Sequence, residues 1–465
     1  MQTEVRRSDE RSGLDRFFKI SERGSSLRTE VIAGIATWLT MAYILFVNPS
    51  ILGAIKDANG TQLAFDQVLT VTALAAGLMT LAMGVFANYP FALAAGLGLN
   101  AFVTFTLVAT NQLTWPAAMG VVVAEGILIT LLVLTGFREA VLNAIPMDLK
   151  RAIGIGIGVF IALIGFVNAG IVVHPESGAP IVTLASDLTT WNLLVFAVGL
   201  GLTGALVARR VRGALLIGIV ASTALAVVIN EIASSPVWPN GIAKIPSEIV
   251  ATPNFGLVGN FSFSFISSLG FWTALAIVLS VMLSDFFDTM GTVIGLGGEA
   301  GLLDRDGKLP GINRVLLVDS LAAVAGGLTS SSSNTTYIES AAGVSEGGRT
   351  GLTSVVVGVL FLLSLFLSPI AGVIPTEATA PILVIVGYFM MTLVREIDWN
   401  DAGIGIPAFL TIVVMPFTYS ITNGVGAGFL SYAVISVLRG RGRDVHPLMY
   451  VVAAVFAWYF VHGVV

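Results

Sequence analysis

The sequence predicts an all-α polytopic membrane protein with fourteen transmembrane segments, built as two sevens of opposite orientation. Three observations carry the prediction: an apolar composition, apolar runs of span length along the whole chain, and basic residues confined to alternate loops. Of 465 residues, 55% are hydrophobic and 11% charged, against roughly 25% charged in a soluble domain. A mean hydropathy of +0.91 does not fit a water-exposed surface. The 51 glycines suit close helix–helix contact in lipid. The absence of cysteine excludes a disulfide framework, a thiolate metal site and a cysteine nucleophile. A net charge of −5 is too small to indicate a partner, and nothing points to nucleic acid.

Residues 1–28 carry seven basic side chains and no cleavable apolar core, so they read as a cytosolic tail rather than a leader. Within the tail, Leu14–Ile20 either lies on the inner leaflet through Leu14, Phe17 and Phe18 or hangs free. A helix needs about 20 mostly apolar residues to cross the hydrocarbon. Such runs fall at 30–48, 67–87, 115–135, 151–172, 190–208, 213–232, 271–295, 314–329, 352–374, 379–395, 404–419 and 421–438. Two more, 91–108 and 334–348, are apolar but rich in Gly, Ser and Thr. They are expected as broken spans, third and tenth in order, with short irregular or β segments. The stretch 233–268, rich in Pro, Ser and Asn, is expected as an extracytoplasmic loop between the two sevens. The segment 446–463 fits the count badly and is either an extra span or a helix packed at the interface.

Arg138, Lys150 and Arg151 follow the fourth span, Arg209, Arg210 and Arg212 the sixth, and Arg305 and Lys308 the eighth. Arg349 and Arg395 follow the tenth and twelfth, and Arg439, Arg441 and Arg443 the fourteenth. The opposite loops, such as Val173–Pro180 and Ile374–Ala380, carry neither Lys nor Arg, and only Lys56 and Lys244 break the trend. The positive-inside rule then places the N-terminus in the cytosol of a multi-pass protein of the cell (inner or plasma) membrane.

Carriers are often built from inverted repeats whose broken helices meet at the bilayer midplane. Glu30, at the start of the first span, lies 70 residues before Asn100, and Phe271, at the start of the eighth, lies 68 before Glu339. Both broken segments thus fall at equivalent places. Irregular backbone cannot face lipid, so Gly96–Asn100 and Ser330–Tyr337 must be enclosed in protein or line a cavity. There, free backbone groups and the hydroxyls of the run Ser330–Thr336 can hold a ligand or simply bond neighbouring helices.

The ionisable residues inside the spans are Glu125, Asp285, Asp288, Asp319 and Glu339, with no Lys or Arg mid-span. Such groups usually face an interior pathway. Asp285 and Asp288 lie one turn apart on one helical face, with Thr289 and Thr292 close by. An acidic interior opposes anions and suits protons, metal cations or neutral solutes rich in N–H donors. An ionised carboxylate accepts hydrogen bonds only, which fits the N–H edge of a nucleobase. Asp285 and Glu339, beside hydroxyl clusters and irregular backbone, are the expected functional pair. Glu125 reads as a packing or capping carboxylate, and Asp319 as bonded within the core or functional. His174, His446 and His462 lie at span edges. No metal-ligand spacing, Walker loop or nucleophile elbow occurs, so neither a metal nor an enzyme is indicated. GIGIG (154–158) reads as a helix-packing motif.

The segments FFKISERGSSLRTEVIAGIATWLTMAYILFVNP (17–49), GLGLNAF (96–102), SDFFDTMGTVIG (284–295) and NTTYIESAAGVSEGGRTGLT (334–353) resemble the AzgA-like branch of the nucleobase–cation symporter 2 (nucleobase–ascorbate transporter) family. The resemblance implies the uracil/xanthine permease fold, in which a core domain (spans 1–4 and 8–11) moves against a gate domain (spans 5–7 and 12–14). The boundaries become 29–136 and 269–374 for the core, and 137–232 and 375–465 for the gate. It implies import of adenine, guanine or hypoxanthine with a proton as the coupling ion and no other cofactor, and a homodimer through the gate domains. By position, Asp285 would hold the base with Asp288 supporting it. Glu339 would be the tenth-span acid, Asn100 the third-span partner, and Thr336, Tyr337 and Ile338 would contribute alongside. Asp285 and Glu339 would carry the proton. The uracil and xanthine branches carry Glu where Asp285 stands, and the shorter side chain leaves more room. An anion exchanger or channel on the same fold is the alternative, but its cue, a basic residue where Glu339 stands, is missing.

Overall fold

The computed structural model describes residues 13–136, 145–174, 182–233, 235–238, 242–304 and 309–462. Residues 1–12, Arg138, Arg305 and Lys308, used above for topology, lie outside them. The chain begins with α1 (Gly13–Phe18), α2 (Leu27–Met41) and α3 (Ile44–Leu52), followed by α4 (Phe65–Ala82), which runs on as a π-helical turn to Ala87. β1 (Leu93–Ala95) leads into α5 (Leu97–Ala101), which continues as a π-helix to Thr110. Next come α6 (Trp115–Thr135), α7 (Met147–Asn168), the ribbon of β2 (Val172–Val173) and β3 (Thr183–Leu184), α8 (Trp191–Ala208) and α9 (Ala214–Ile232). The second half holds α10 (Phe265–Leu269), α11 (Phe271–Glu299), α12 (Ile312–Thr329), β4 (Asn334–Thr336), a 3₁₀ turn at Ile338–Ser340 and α13 (Ala341–Ser345). It ends with α14 (Gly351–Leu363), α15 (Ser368–Ala371), α16 (Thr376–Met391), α17 (Ala402–Thr418), α18 (Ile421–Leu438) and α19 (Pro447–His462).

Among the described residues ten helices are long and apolar enough to cross a membrane, and four shorter apolar ones accompany them. Hydroxyl and carboxylate caps start many of these helices. Ser26, Thr114, Thr190, Thr350, Asp401 and Ser420 each accept a backbone N–H that the helix itself leaves unpaired. The helices pack as two groups, one of α2, α4, α6, α12 and α14, the other of α7, α8, α9, α16, α17 and α18, with α11 touching members of both. The second group approaches closely at glycine. A Cβ on Gly387 would lie 2.5 Å from Gly158 O, and one on Gly156 would lie 2.6 Å from Met415 Sδ. GIGIG is therefore a packing surface, as its composition suggests.

The broken spans are joined by a two-stranded antiparallel sheet. Leu93 pairs with Thr336, Ala94 with Thr335 and Ala95 with Asn334. Gly96 N donating to Ser333 O (2.9 Å) and Tyr337 N donating to Ala92 O (2.9 Å) extend the ladder at both ends. Pairing two breaks with each other satisfies backbone that neither could satisfy alone inside a bilayer. The first break lies earlier than the sequence suggested, at Asn88–Gly96 rather than Gly96–Asn100. Gly96 is the N-cap of α5, so Leu97–Ala101 is helical. The second break matches expectation, with Ser330 and Ser332 both at positive φ.

Two terminal segments are more integrated than expected. Phe18 and Ile20 are buried against Leu352, while Leu14 and Phe17 stay exposed. Arg23 donates to Asn88 O (2.6 Å) and Arg349 O (2.9 Å), and fully buried Glu30 accepts from Arg349 N, Thr350 N, Thr353 N and Thr353 Oγ1. Glu30 thus serves the open N-terminal turn of α14 with a negative charge, as the helix dipole favours. At the other end, α19 runs antiparallel beside α18. Tyr450 donates to Gly442 O (2.7 Å), Phe429 meets Phe456 at 5.9 Å, and Tyr459 donates to Asn423 Oδ1 (2.9 Å). It packs along α18 and against α11.

Candidate functional site

Where β1 meets β4, α11 passes alongside segment 334–345. Its Asp285 is buried, whereas Asp288, one turn on, is exposed. The exposed residues continue at Gly291, Gly295 and Gly298, a helical stripe running to the C-terminal end of α11. Asp288 lies close enough to Glu339 and Asp319 for their charges to interact, which places it near the second broken segment. Ile338 is 56% exposed and Glu339 half-buried. These residues form an acidic, partly exposed cluster beside the two paired breaks, where an ionised carboxylate can only accept hydrogen bonds.

The remaining expected residues behave differently from one another. Asn100 is completely buried, and neither of its amide atoms has a hydrogen-bond partner. Because an unpaired buried amide costs about 1–3 kcal/mol, this is an atom pair suited to a ligand or a moving neighbour. Thr336 is committed elsewhere, since its N–H and Oγ1 both donate to Asp319 Oδ1 at 2.8 and 2.7 Å. Tyr337 contributes its hydroxyl to Ala95 O and its N–H to Ala92 O. It therefore clamps the ladder, while Ile338 and Glu339 that follow it stay partly exposed.

Three residues gain roles that local sequence hid. Tyr43, buried between α2 and α3, donates to Glu339 Oε1 at 2.6 Å and fixes the carboxylate's orientation. Glu125 caps no helix; fully buried on α6, it lies 2.7 Å from Ser333 Oγ, which is also 3.0 Å from Asp285 Oδ2. Lys150, counted at a span boundary, extends its ammonium to 4.9 Å from the centroid of Phe287, next to Asp288. A long aliphatic stem lets a boundary cation reach further in than its Cα. Asp319 is fully paired, accepting from Thr289 Oγ1 (2.7 Å) as well as from Thr336. Thr289 in turn meets Thr335 Oγ1 at 2.6 Å. This carboxylate knits α11, α12 and β4 together. Among the described residues no cluster of His, Asp and Glu could hold a metal.

A helical membrane bundle with an acidic cluster at two paired breaks has the form of a solute permease. The sequence matches the Permease family over residues 28–426. The adenine permease AdeQ of Escherichia coli is 40% identical over 97% of this chain and 96% of its own length. The guanine/hypoxanthine permease PbuG of Bacillus subtilis is 38% identical over 96% of this chain and 99% of its own. The chain belongs to this permease family, the nucleobase–cation symporter 2 family that its motifs resemble, and its relatives are transporters rather than enzymes. Among solved structures, the transmembrane domain of the cyanobacterial bicarbonate transporter BicA superposes with a TM-score of 0.63 at 14% identity. It covers 86% of this chain and 97% of that domain, a likeness of fold alone.

Proposed function

We propose that this protein imports a purine nucleobase (adenine, guanine or hypoxanthine) together with a proton, by alternating access. The observation that carries the reading is the meeting of Asp288, Glu339 and buried Asp285 beside two paired helix breaks. Neutral purines offer N–H donors, which suit carboxylate acceptors, and free backbone groups can serve their ring nitrogens. The names of the full-length relatives support the substrate class. In this reading Asp288, Ile338 and Glu339 meet the base from the cleft, Asp285 and Asn100 close on it from behind, and Thr336 and Tyr337 shape the floor.

The arrangement reads as fourteen spans in two inverted sevens. The α2–α14 packing group forms the core, the α7–α18 group the gate, and α11 carries the site along their boundary. A cytosolic N-terminus in the cell membrane would make the open stripe of α11 an inward-facing cleft, because its end lies toward the basic loops. A homodimer through the gate domains completes the proposal. The acidic cleft opposes an anion exchanger.

Uptake of radiolabelled adenine, guanine and hypoxanthine in cells stripped of their own purine permeases tests this. Saturable uptake that collapses with a protonophore is expected, and uptake indifferent to the protonophore rejects the coupling. Tyr43→Phe keeps the ring but frees Glu339 from its orienting partner. Loss of one such hydrogen bond costs about 0.5–1.5 kcal/mol, so half-saturation should rise roughly two- to twelvefold. An unchanged half-saturation would show that Tyr43 does not set the carboxylate.

A further inference from the structure

Glu125 and Asp285 belong to different helices, are 0% and 1% exposed, and lie within hydrogen-bonding reach of each other as well as of Ser333. Ser333 Oγ lies within hydrogen-bond distance of a carboxyl oxygen on both sides, 2.7 Å from Glu125 and 3.0 Å from Asp285. A serine hydroxyl has one hydrogen, and an ionised carboxylate has none to give. Both contacts can be hydrogen bonds only if one of the two carboxyls is a carboxylic acid donating to Ser333 Oγ. Further acidic groups face the pair: Asp319 and Asp288 toward Asp285, and Asp319 toward Glu125. The charges acting on the pair are acidic, and the Lys150 ammonium lies against the Phe287 ring, so two buried ionised carboxylates side by side would be poorly compensated.

We infer that Glu125, through Ser333, shares one proton with Asp285, and that this relay is where proton and base are coupled. The polarity follows from the unpaired atoms. Asp285 Oδ1 and Glu125 Oε2 are buried and receive no hydrogen bond from a neighbouring N–H or hydroxyl. With the proton on Glu125 Oε1, that group donates to Ser333 Oγ, whose own hydrogen goes to Asp285 Oδ2. Asp285 is then an ionised acceptor with Oδ1 free for an N–H of the base. The orphan left on Glu125 is a neutral carbonyl oxygen, far cheaper to bury than a charge. With the proton on Asp285, the relay reverses and the acceptor strength at Oδ1 is lost. Glu125 does not touch the base; it sets whether Asp285 can hold it. Ser333 also ties the relay to the breaks, since its carbonyl accepts Gly96 N in the ladder extension. A shift of core against gate that disturbs this ladder therefore disturbs the proton's seat.

The inference rests on the proton-coupled permease reading, and the experiment separates the two. Purified wild-type, Glu125→Gln and Ser333→Ala proteins are reconstituted into liposomes. Equilibrium binding and pH-gradient-driven accumulation of labelled purine are measured across pH, with infrared spectra recorded in the carboxylic-acid C=O region. Wild type is expected to accumulate base about tenfold per pH unit for one proton. In Glu125→Gln the amide donates permanently to Ser333, so binding persists, its pH dependence flattens and accumulation falls to about onefold, an uncoupled carrier. The variant also loses a pH-sensitive acid band. Ser333→Ala, which keeps both carboxyls, should shift the pH profile and the band, and carries the test if Glu125→Gln does not fold. Unchanged accumulation and an unchanged band in the variants overturn the relay. If no protein accumulates base but the band still disappears in Glu125→Gln, the shared proton stands and the coupled-permease reading falls.

Discussion

Glu339→Gln should reduce purine uptake at low substrate concentration by about a hundredfold while leaving the protein folded. The carboxylate stands half-buried beside exposed Ile338, with Tyr43 OH on Oε1. Glutamine retains a carbonyl oxygen, so the tyrosine keeps an acceptor and the 3₁₀ turn at Ile338–Ser340 keeps its anchor. The other half of the group changes sign. Where a carboxylate oxygen would accept an N–H of the base, the amide presents hydrogens of its own. A hydrogen bond to a charged group is worth about 1.5–3 kcal/mol, or roughly 10- to 150-fold in affinity, and two opposed donors push the loss toward the upper end. Initial uptake rates against concentration, with surface expression measured in parallel, make the check. Near-normal uptake by Glu339→Gln would remove this residue from the site. Glu339→Asp, charged but about one methylene shorter, should fall between the two because its reach to Tyr43 is lost while its acceptor chemistry remains.

How far the sequence foretold this site depends on whether each feature is local. Apolar runs place most of the span-length helices within a few residues, because a bilayer imposes a length. The hydroxyl run Ser330–Thr336 marked the second break for an equally local reason, poor helix propensity. Gly96 misled, since a glycine serves as readily to start a helix as to interrupt one, and here it starts α5. Contacts across the chain left no local trace. Glu125 and Ser333 are 208 positions apart, and Tyr43 and Glu339 are 296 apart. Phe18 shows the same blindness in reverse. A terminal phenylalanine looks like a membrane anchor until Leu352, far along the chain, is folded against it.

Asp319 should divide from Asp285, Asp288 and Glu339 by its response to asparagine. Asp319→Ala is expected to lower the stability of the detergent-solubilised protein by about 3 kcal/mol or more, read as a large fall in Tm and in monodisperse yield. The carboxylate accepts from Thr289 Oγ1, Thr336 N and Thr336 Oγ1, and Thr336 lies in the strand that pairs with Leu93. Alanine leaves three buried donors unpaired, at about 1–3 kcal/mol each, although the threonine hydroxyls can turn and recover part of this. The strand of the second break loses its tie to α11 and α12 together, so base uptake should disappear along with stability. Asparagine keeps an oxygen for both Thr336 contacts and offers its amide to Thr289, whose hydroxyl can accept as well as donate. Asp319→Asn should therefore retain most of the stability and a measurable share of uptake. A proton-carrying carboxylate behaves otherwise, because asparagine cannot bind the proton and the two substitutions would be equally inactive in a stably folded protein. Equal inactivity with an unaltered melting temperature would move Asp319 from the scaffold to the proton path. A graded loss, alanine far below asparagine in both Tm and uptake, would hold it in place as the brace that keeps β4 against β1.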